Sequence, residues 1–207
     1  MIQISNYKKA YDGHIILEIA NLQLEAGVHW ILGKNGSGKS TLFKSILNII
    51  PFEGKIEING IESSKIEARR LLGFSEAEPK FPATVSGYDI LQFMAEIKHA
   101  DNQQVDGLVK VWGVDLYWKN AIGSYSSGML KKISLISAFL GKPSWVILDE
   151  PFILIDAQTL TYLQELIVNY VRNHNTSFLI SSHQVFDLDA ALPIYSYLIQ
   201  DAKIAKL

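Results

Sequence analysis

The sequence predicts a single-domain α/β protein in which a mainly parallel central sheet carries an antiparallel β subdomain and is interrupted by an inserted helical lobe. Three observations predict it. An apolar strand, a glycine-rich turn and an amphipathic helix follow one another through residues 28–47, VHWILGKNGSGKSTLFKSIL. Further on, WVILD at 145–149, a helical pattern over 157–172 and FLISS at 178–182 repeat the strand–helix–strand alternation of a parallel sheet. Between these blocks, residues 86–140 change to helical spacing with little strand signal. The expected division is a core built from about 1–85 and 141–207, with the helical lobe at about 86–140; a chain of 207 residues is long enough for a large core.

Composition narrows the function classes. The net charge of −2 carries no polyelectrolyte signature, so charge alone points to no nucleic-acid partner. The absence of cysteine excludes disulfides, thiolate metal sites and thiol catalysis, and suits a reducing compartment. MIQISNYKKAY at the N-terminus alternates apolar and polar residues and lacks the layout of a secretory leader. No apolar run approaches the roughly 20 residues needed to span a bilayer. Work at a membrane would therefore require docking onto something that spans it.

Along the chain, residues 2–6 and 14–19 read as strands joined at Asp12-Gly13, a hairpin signal, and their short alternating patterns suggest the antiparallel flap. Tyr11, just before that turn, is either an ordinary strand-end aromatic or a platform for a nucleotide base. In the glycine-rich turn, Gly33, Gly36 and Gly38 open backbone angles closed to other residues, so N–H groups between Lys34 and Ser40 can converge on one anion. The helix starting near Lys39 adds its positive end. Lys39 is then placed to reach β- and γ-phosphates, and the Ser40 hydroxyl to ligate Mg²⁺. After this helix, which Pro51 is expected to stop, KIEING at 55–60 and LLGFS at 71–75 read as strands, and YSYLIQDAKIAKL as a closing hairpin.

Buried parallel strands deliver their C-terminal residues to the ligand crevice. WVIL does so with Asp149-Glu150: Asp149 is placed to hold Mg²⁺, and Glu150, one step further, to orient or deprotonate water. FLISS does so with His183; His14, His29, His99 and His174 have ordinary strand or surface placements. SYSSGMLKK at 124–132 reads as a helix start capped by Ser126 or Ser127, and a hydroxyl beside a glycine N–H there makes a second anion site. Two phosphate-sized sites in different lobes suggest nucleotide shared between two chains.

In this order the features resemble the nucleotide-binding subunits of ATP-binding-cassette transporters, over nearly the whole chain. GKNGSGKST corresponds to the Walker A loop and WVILDEP to the Walker B strand; Tyr125-Ser126-Ser127-Gly128-Met129 stands at the L-S-G-G-Q signature, Asp156 at the D-loop aspartate, His183 at the switch histidine and Tyr11 at the adenine-stacking aromatic. The resemblance implies a P-loop NTPase fold of the ABC type. It implies ATP held by Tyr11, Gly33, Asn35, Gly36, Ser37, Gly38, Lys39, Ser40 and Thr41, and Mg²⁺ by Ser40 and Asp149, with Glu150 and His183 catalytic. A second ATPase subunit, identical or not, would close head to tail so that Ser126, Ser127 and Gly128 meet the partner's ATP. This pair would drive a separate integral-membrane permease from the cytoplasmic face.

Departures from the pattern shape these expectations. Ser126 and Gly128 remain in the signature, and its Y-S-x-G-M form is similar to exporters that pair with a separate permease. In LGFSEAEPKFPATV the family's glutamine is absent: Ala77 stands nearest its place, flanked by Glu76 and Glu78, and either glutamate could substitute. Phe152, Ile153, Leu154 and Ile155 make the D-loop apolar, as a dry dimer seam would be. Phe74, Phe81, Tyr88 and Phe93 either line a groove for the membrane subunit or pack in the core. The alternative function is a non-transport ATPase of the same type serving assembly or repair.

Overall fold

A computed structural model describes residues 1–183, 188–189 and 191–207. The chain opens with a long hairpin, β1 (Ile2–Tyr11) and β2 (His14–Leu24), then β3 (Val28–Leu32) and α1 (Lys39–Ile46). Next come β4 (Glu53–Ile58), β5 (Ile61–Glu62), α2 (Ile66–Arg70) and β6 (Leu72–Ser75). Three helices follow without an intervening strand: α3 (Gly87–Lys98), α4 (Asn102–Val111) and α5 (Ser127–Phe139). The chain closes with β7 (Trp145–Leu148), α6 (Ala157–His174), β8 (Ser177–Ser182), β9 (Ile194–Gln200) and β10 (Lys203–Lys206).

The strands form two sheets. One has the order β2-β1-β4-β5 and is antiparallel; the other runs β10-β9-β3-β8-β7-β6, parallel except at β10. Alternation along the parallel strands feeds two cores. Val28, Trp30, Val146, Leu148, Phe178 and Ile180 pack with α5, α6 and the helical lobe, whereas Ile31, Trp145, Ile147 and Leu179 pack with α1 and the antiparallel sheet. Both faces of β7 and β8 are therefore buried, which is why these segments read as unbroken apolar runs.

Local chemistry sets the helix starts. Ser86 and Asp89 form a reciprocal capping box at α3, Asp101 caps α4, Ser126 caps α5 and Asp156 caps α6. Several boundaries differ from the sequence expectation: β2 runs on past residue 19 to Leu24, and β4 covers Glu53–Ile58 rather than 55–60. β1 continues to Tyr11 because Asn6 takes φ 51° at a register shift against β4, moving the buried phase from Ile2 and Ile4 to Tyr7 and Lys9; a simple alternation breaks there. α1 ends at Ile46, before Pro51, because Asn48 turns the chain with φ 53°. β5 and α2 are too short to show a period.

His29 sits in the sheet interior, 1% exposed, stacked on Tyr195 and tilted against Trp145. Its Nε2 lies 2.8 Å from the Glu25 carbonyl, which only accepts, so the proton is on Nε2 and the buried Nδ1 is left without a partner. Burial pulls the imidazole down to about 4. Because the unfolded chain takes up this proton near pH 6.5 and the folded one does not, stability is level above about 6.5 and falls as pH drops toward 4. The loss approaches about 3 kcal/mol. Urea denaturation across that range is expected to show this acid limb, and His29→Phe to flatten it at a cost of about 1 kcal/mol near neutrality for the lost hydrogen bond.

Candidate functional site

The C-terminal ends of β3, β7 and β8 open into a cleft of about 480 Å³. Asn35, Gly36, Ser37, Gly38, Lys39, Ser40 and Thr41 form its floor, with Glu150 and His183 from the strand ends and Ile16, Ala77, Glu78 and Ile153 on its walls. The floor curves because Gly36 and Gly38 take φ 77° and 107°, the left-handed region that brings successive N–H groups to one side. Gly33 is needed for a different reason: a Cβ there would stand 2.5 Å from Ser37 Oγ and 2.8 Å from the Ile199 carbonyl. Ser37 Oγ itself is buried without a hydrogen-bond partner.

Lys39, 6% exposed at the first turn of α1, folds across this cradle. Its Nζ donates to the carbonyls of Gly33 at 2.8 Å and Lys34 at 3.4 Å and pairs with Glu150 Oε1 at 3.4 Å. The same Oε1 lies 3.4 Å from His183 Nε2. Among the described residues no hydrogen bond reaches this buried oxygen, which leaves it available to a water or ligand proton. Glu150 takes φ 43°, a strained setting for a residue with a side chain, and the turn is supported by its N–H donating to Ser181 Oγ at 2.9 Å. Ser181 in turn donates to Asp149 Oδ1 at 2.5 Å. Asp149, 3% exposed, lies at the end of β7 behind the cleft lining. Among the described residues, no group of three or more His, Cys, Asp or Glu side chains gathers to hold a metal. The hydroxyl of Ser40 and the carboxylate of Asp149 supply hard oxygen donors of the kind Mg²⁺ takes beside phosphate oxygens.

Other expected residues lie elsewhere. Glu76 pairs with Lys44 at 3.8 Å and does not line the cleft, so Glu78 is the carboxylate of that loop lining the cavity. Tyr11 stands 46% exposed at the free end of the flap, with Lys9 Nζ 4.4 Å from its ring centre, and does not line the phosphate cleft; Ile16 across the hairpin does. Ser126, Ser127 and Gly128 open α5 outside the cleft of their own chain. They abut the D-loop: a Cβ on Gly128 would lie 2.8 Å from the Leu154 carbonyl, and Lys132 pairs with Asp156 at 3.1 Å. Asp156 accepts from the Thr159 N–H as the α6 cap, and this bond, with Lys132 beside it, holds its carboxyl at about 2. Leu154 has φ 66°, and Ile153 and Leu154 face solvent. Phe74 and Phe81 pack against the cores, whereas Tyr88 and Phe93 are exposed. A larger open depression of about 870 Å³ between β2 and the β9–β10 hairpin holds none of these groups.

Sequence reasoning missed Ser181 and Lys131. Ser181 is one of three serines on β8, and only the pairing of that strand with β7 brings its hydroxyl to Asp149. Lys131 occupies the apolar phase of α5 with Leu135 and Ala138, a placement rarely given to lysine.

The family model for the ABC transporter matches residues 17–153. The chain belongs to the ABC transporter family. It is an ATP-binding, ATP-hydrolysing subunit of that family. It is 28% identical to the tungstate uptake system ATP-binding protein TupC of Peptoclostridium acidaminophilum, over 89% of this chain and 87% of that one. Identity to the bacitracin transport ATP-binding protein BcrA of Bacillus licheniformis is also 28%, over 91% of this chain but 63% of the relative's length. The fold matches a solved ATP-binding subunit of an ABC transporter with a TM-score of 0.88 at 21% identity, covering all of this chain and 89% of that one.

Proposed function

We propose that this ABC ATPase subunit is the engine of a transporter whose membrane-spanning part is a separate permease, and that it works as a head-to-tail pair closed on two ATP molecules. The observation that carries the proposal is the division of the site. The cradle, Lys39, Glu150 and His183 share one cleft, while the Ser126–Gly128 corner faces outside it beside an exposed apolar Ile153-Leu154. A second chain would bring its serine–glycine corner to the γ-phosphate and bury that apolar pair.

In this reading Gly33 to Thr41 bind the phosphates, Tyr11 stacks on adenine, Ser40 and Asp149 hold Mg²⁺, and Glu150 takes the proton of the attacking water while His183 steadies it. When bound, the metal supplies charge neutralisation at the transferring phosphoryl. Glu78 stands in for the missing glutamine. The Y-S-x-G-M form of the signature, which keeps Ser126 and Gly128, supports an exporter-like machine; a relative named for uptake and one named for bacitracin transport are equally similar.

No helix among the described residues is long and apolar enough to cross a membrane, so contact with the bilayer would come through the permease. Phe93 is 60% exposed and Ile66 61%; with Ile97 they form the apolar part of a depression of about 640 Å³ between α2 and α3, which Arg69, Arg70 and Glu96 also line, a seat for a permease helix. Replacing Phe93 with Asp places a charge in that seat without touching the ATP cleft. Membrane protein recovered with the tagged chain from solubilised membranes is expected to fall about tenfold or more, with ATP binding kept. Recovery equal to the parent removes this face from the proposal, and capture of only water-soluble proteins by the parent favours an assembly or repair role.

A further inference from the structure

Lys131 is 0% exposed, in the second turn of α5, and its Nζ donates to three backbone carbonyls: Glu76 at 2.6 Å, Asp149 at 3.0 Å and Ala77 at 3.2 Å. An ammonium has three N–H bonds, so this one is saturated. The acceptors lie just past the point where β6 and β7 stop pairing. Their last ladder contact runs from the Asp149 N–H to the Ser75 carbonyl, 2.9 Å long. Beyond it one segment leads to Glu78 and the other to Glu150, and both residues line the cleft.

The helix that carries the ammonium is itself fixed to β6. Ser75 and Ser134 hydroxyls are 2.9 Å apart, and a Cβ on Gly73 would fall 1.8 Å from the Ala138 carbonyl, so no larger residue fits between strand and helix. A methionine would fill the same space without desolvating a charge, which costs several kcal/mol. Burying a lysine whose three donors all reach backbone carbonyls of two separate segments is a cost that packing alone does not explain.

We propose that Lys131 is a positioning residue for ATP hydrolysis, clasping the Glu76–Ala77 turn to the end of β7 so that Glu78 and Glu150 face the nucleotide in fixed register. Its position on α5 also links these segments to the serine–glycine corner that opens the same helix. The inference rests on the reading of Glu150 as the residue that handles the attacking water.

The test compares Lys131→Met, which keeps the stem and removes all three donors, with Lys131→Gln, which keeps two. Steady-state phosphate release and melting temperature are measured with the full chain, with Glu150→Gln assayed alongside. At saturating ATP, turnover is expected to fall about tenfold for Met and about threefold for Gln, with KM unchanged, because the carboxylates are displaced while the phosphate cradle is not. Parental turnover in both variants overturns the proposal. So does a parallel loss of turnover, apparent affinity and melting temperature, which marks a purely structural lysine. Should the Met variant fail to fold, the Gln variant decides by the same criteria. Full activity of Glu150→Gln would instead remove the base assignment, a failure distinct from that of Lys131.

Discussion

Replacing Glu150 with Gln is expected to cut ATP turnover by roughly 10²–10⁴-fold while leaving ATP binding intact. The expectation follows from geometry. Glu150 Oε1 is buried, lacks a hydrogen-bond donor among the described residues and is set 3.4 Å from both Lys39 Nζ and His183 Nε2, so it can receive a proton in the midst of the cleft. An amide has the same shape and can still orient a water, but it cannot take the proton. The strained φ of 43° and the bond from the Glu150 N–H to Ser181 belong to the backbone and survive the change. In the proposed pair no hydrolysis would then separate the two chains, so the variant is expected to accumulate as an ATP-bound dimer. Light scattering with and without ATP, beside a phosphate-release assay, checks both parts. Parental turnover would remove Glu150 from the role of base.

The sequence carried the central sheet well, for a physical reason. β3, β7 and β8 are buried on both faces, so their apolar runs leave little freedom of interpretation, and the residues just beyond them necessarily lie at the crevice. What it carried poorly are features that depend on a backbone reversal or on a partner remote in sequence. Asn6 moves the phase of β1 through one left-handed residue, and no local pattern records that. The choice between Glu76 and Glu78 hinges on which way the chain leaves β6, a matter decided by Lys44 and Lys131 from two other helices. Ser181 reads as an ordinary strand serine until β7 and β8 are paired, when its hydroxyl meets both Asp149 and Glu150. The cradle was legible because all its parts are contiguous. The clasp behind it was not, because its acceptors come from residues 76, 77 and 149 and its donor from 131.

Lys39→Ala is expected to weaken ATP binding by roughly tenfold to a hundredfold, the loss of charge-assisted contacts worth about 1.5–3 kcal/mol. Alanine is the best helix former, so α1 should persist, and the loss can be read as binding rather than folding. The Lys39 ammonium now satisfies Gly33 and Lys34 carbonyls and neutralises Glu150; in its absence a phosphate would meet a buried carboxylate with only His183 beside it. Fluorescence titration with a labelled ATP analogue checks the magnitude, and unchanged affinity would refute the assignment of the loop. The same variant also tests the divided site. Ser126→Asp keeps the α5 cap, since aspartate caps as well as serine, but turns a negative charge toward the phosphate of a facing chain. Each variant should be nearly inactive alone. In a head-to-tail heterodimer both lesions fall in one site and leave the other whole, so mixing them should restore phosphate release to roughly a quarter of the parental rate under random pairing. A mixture no more active than the sum of its parts would mean that each chain completes its own site.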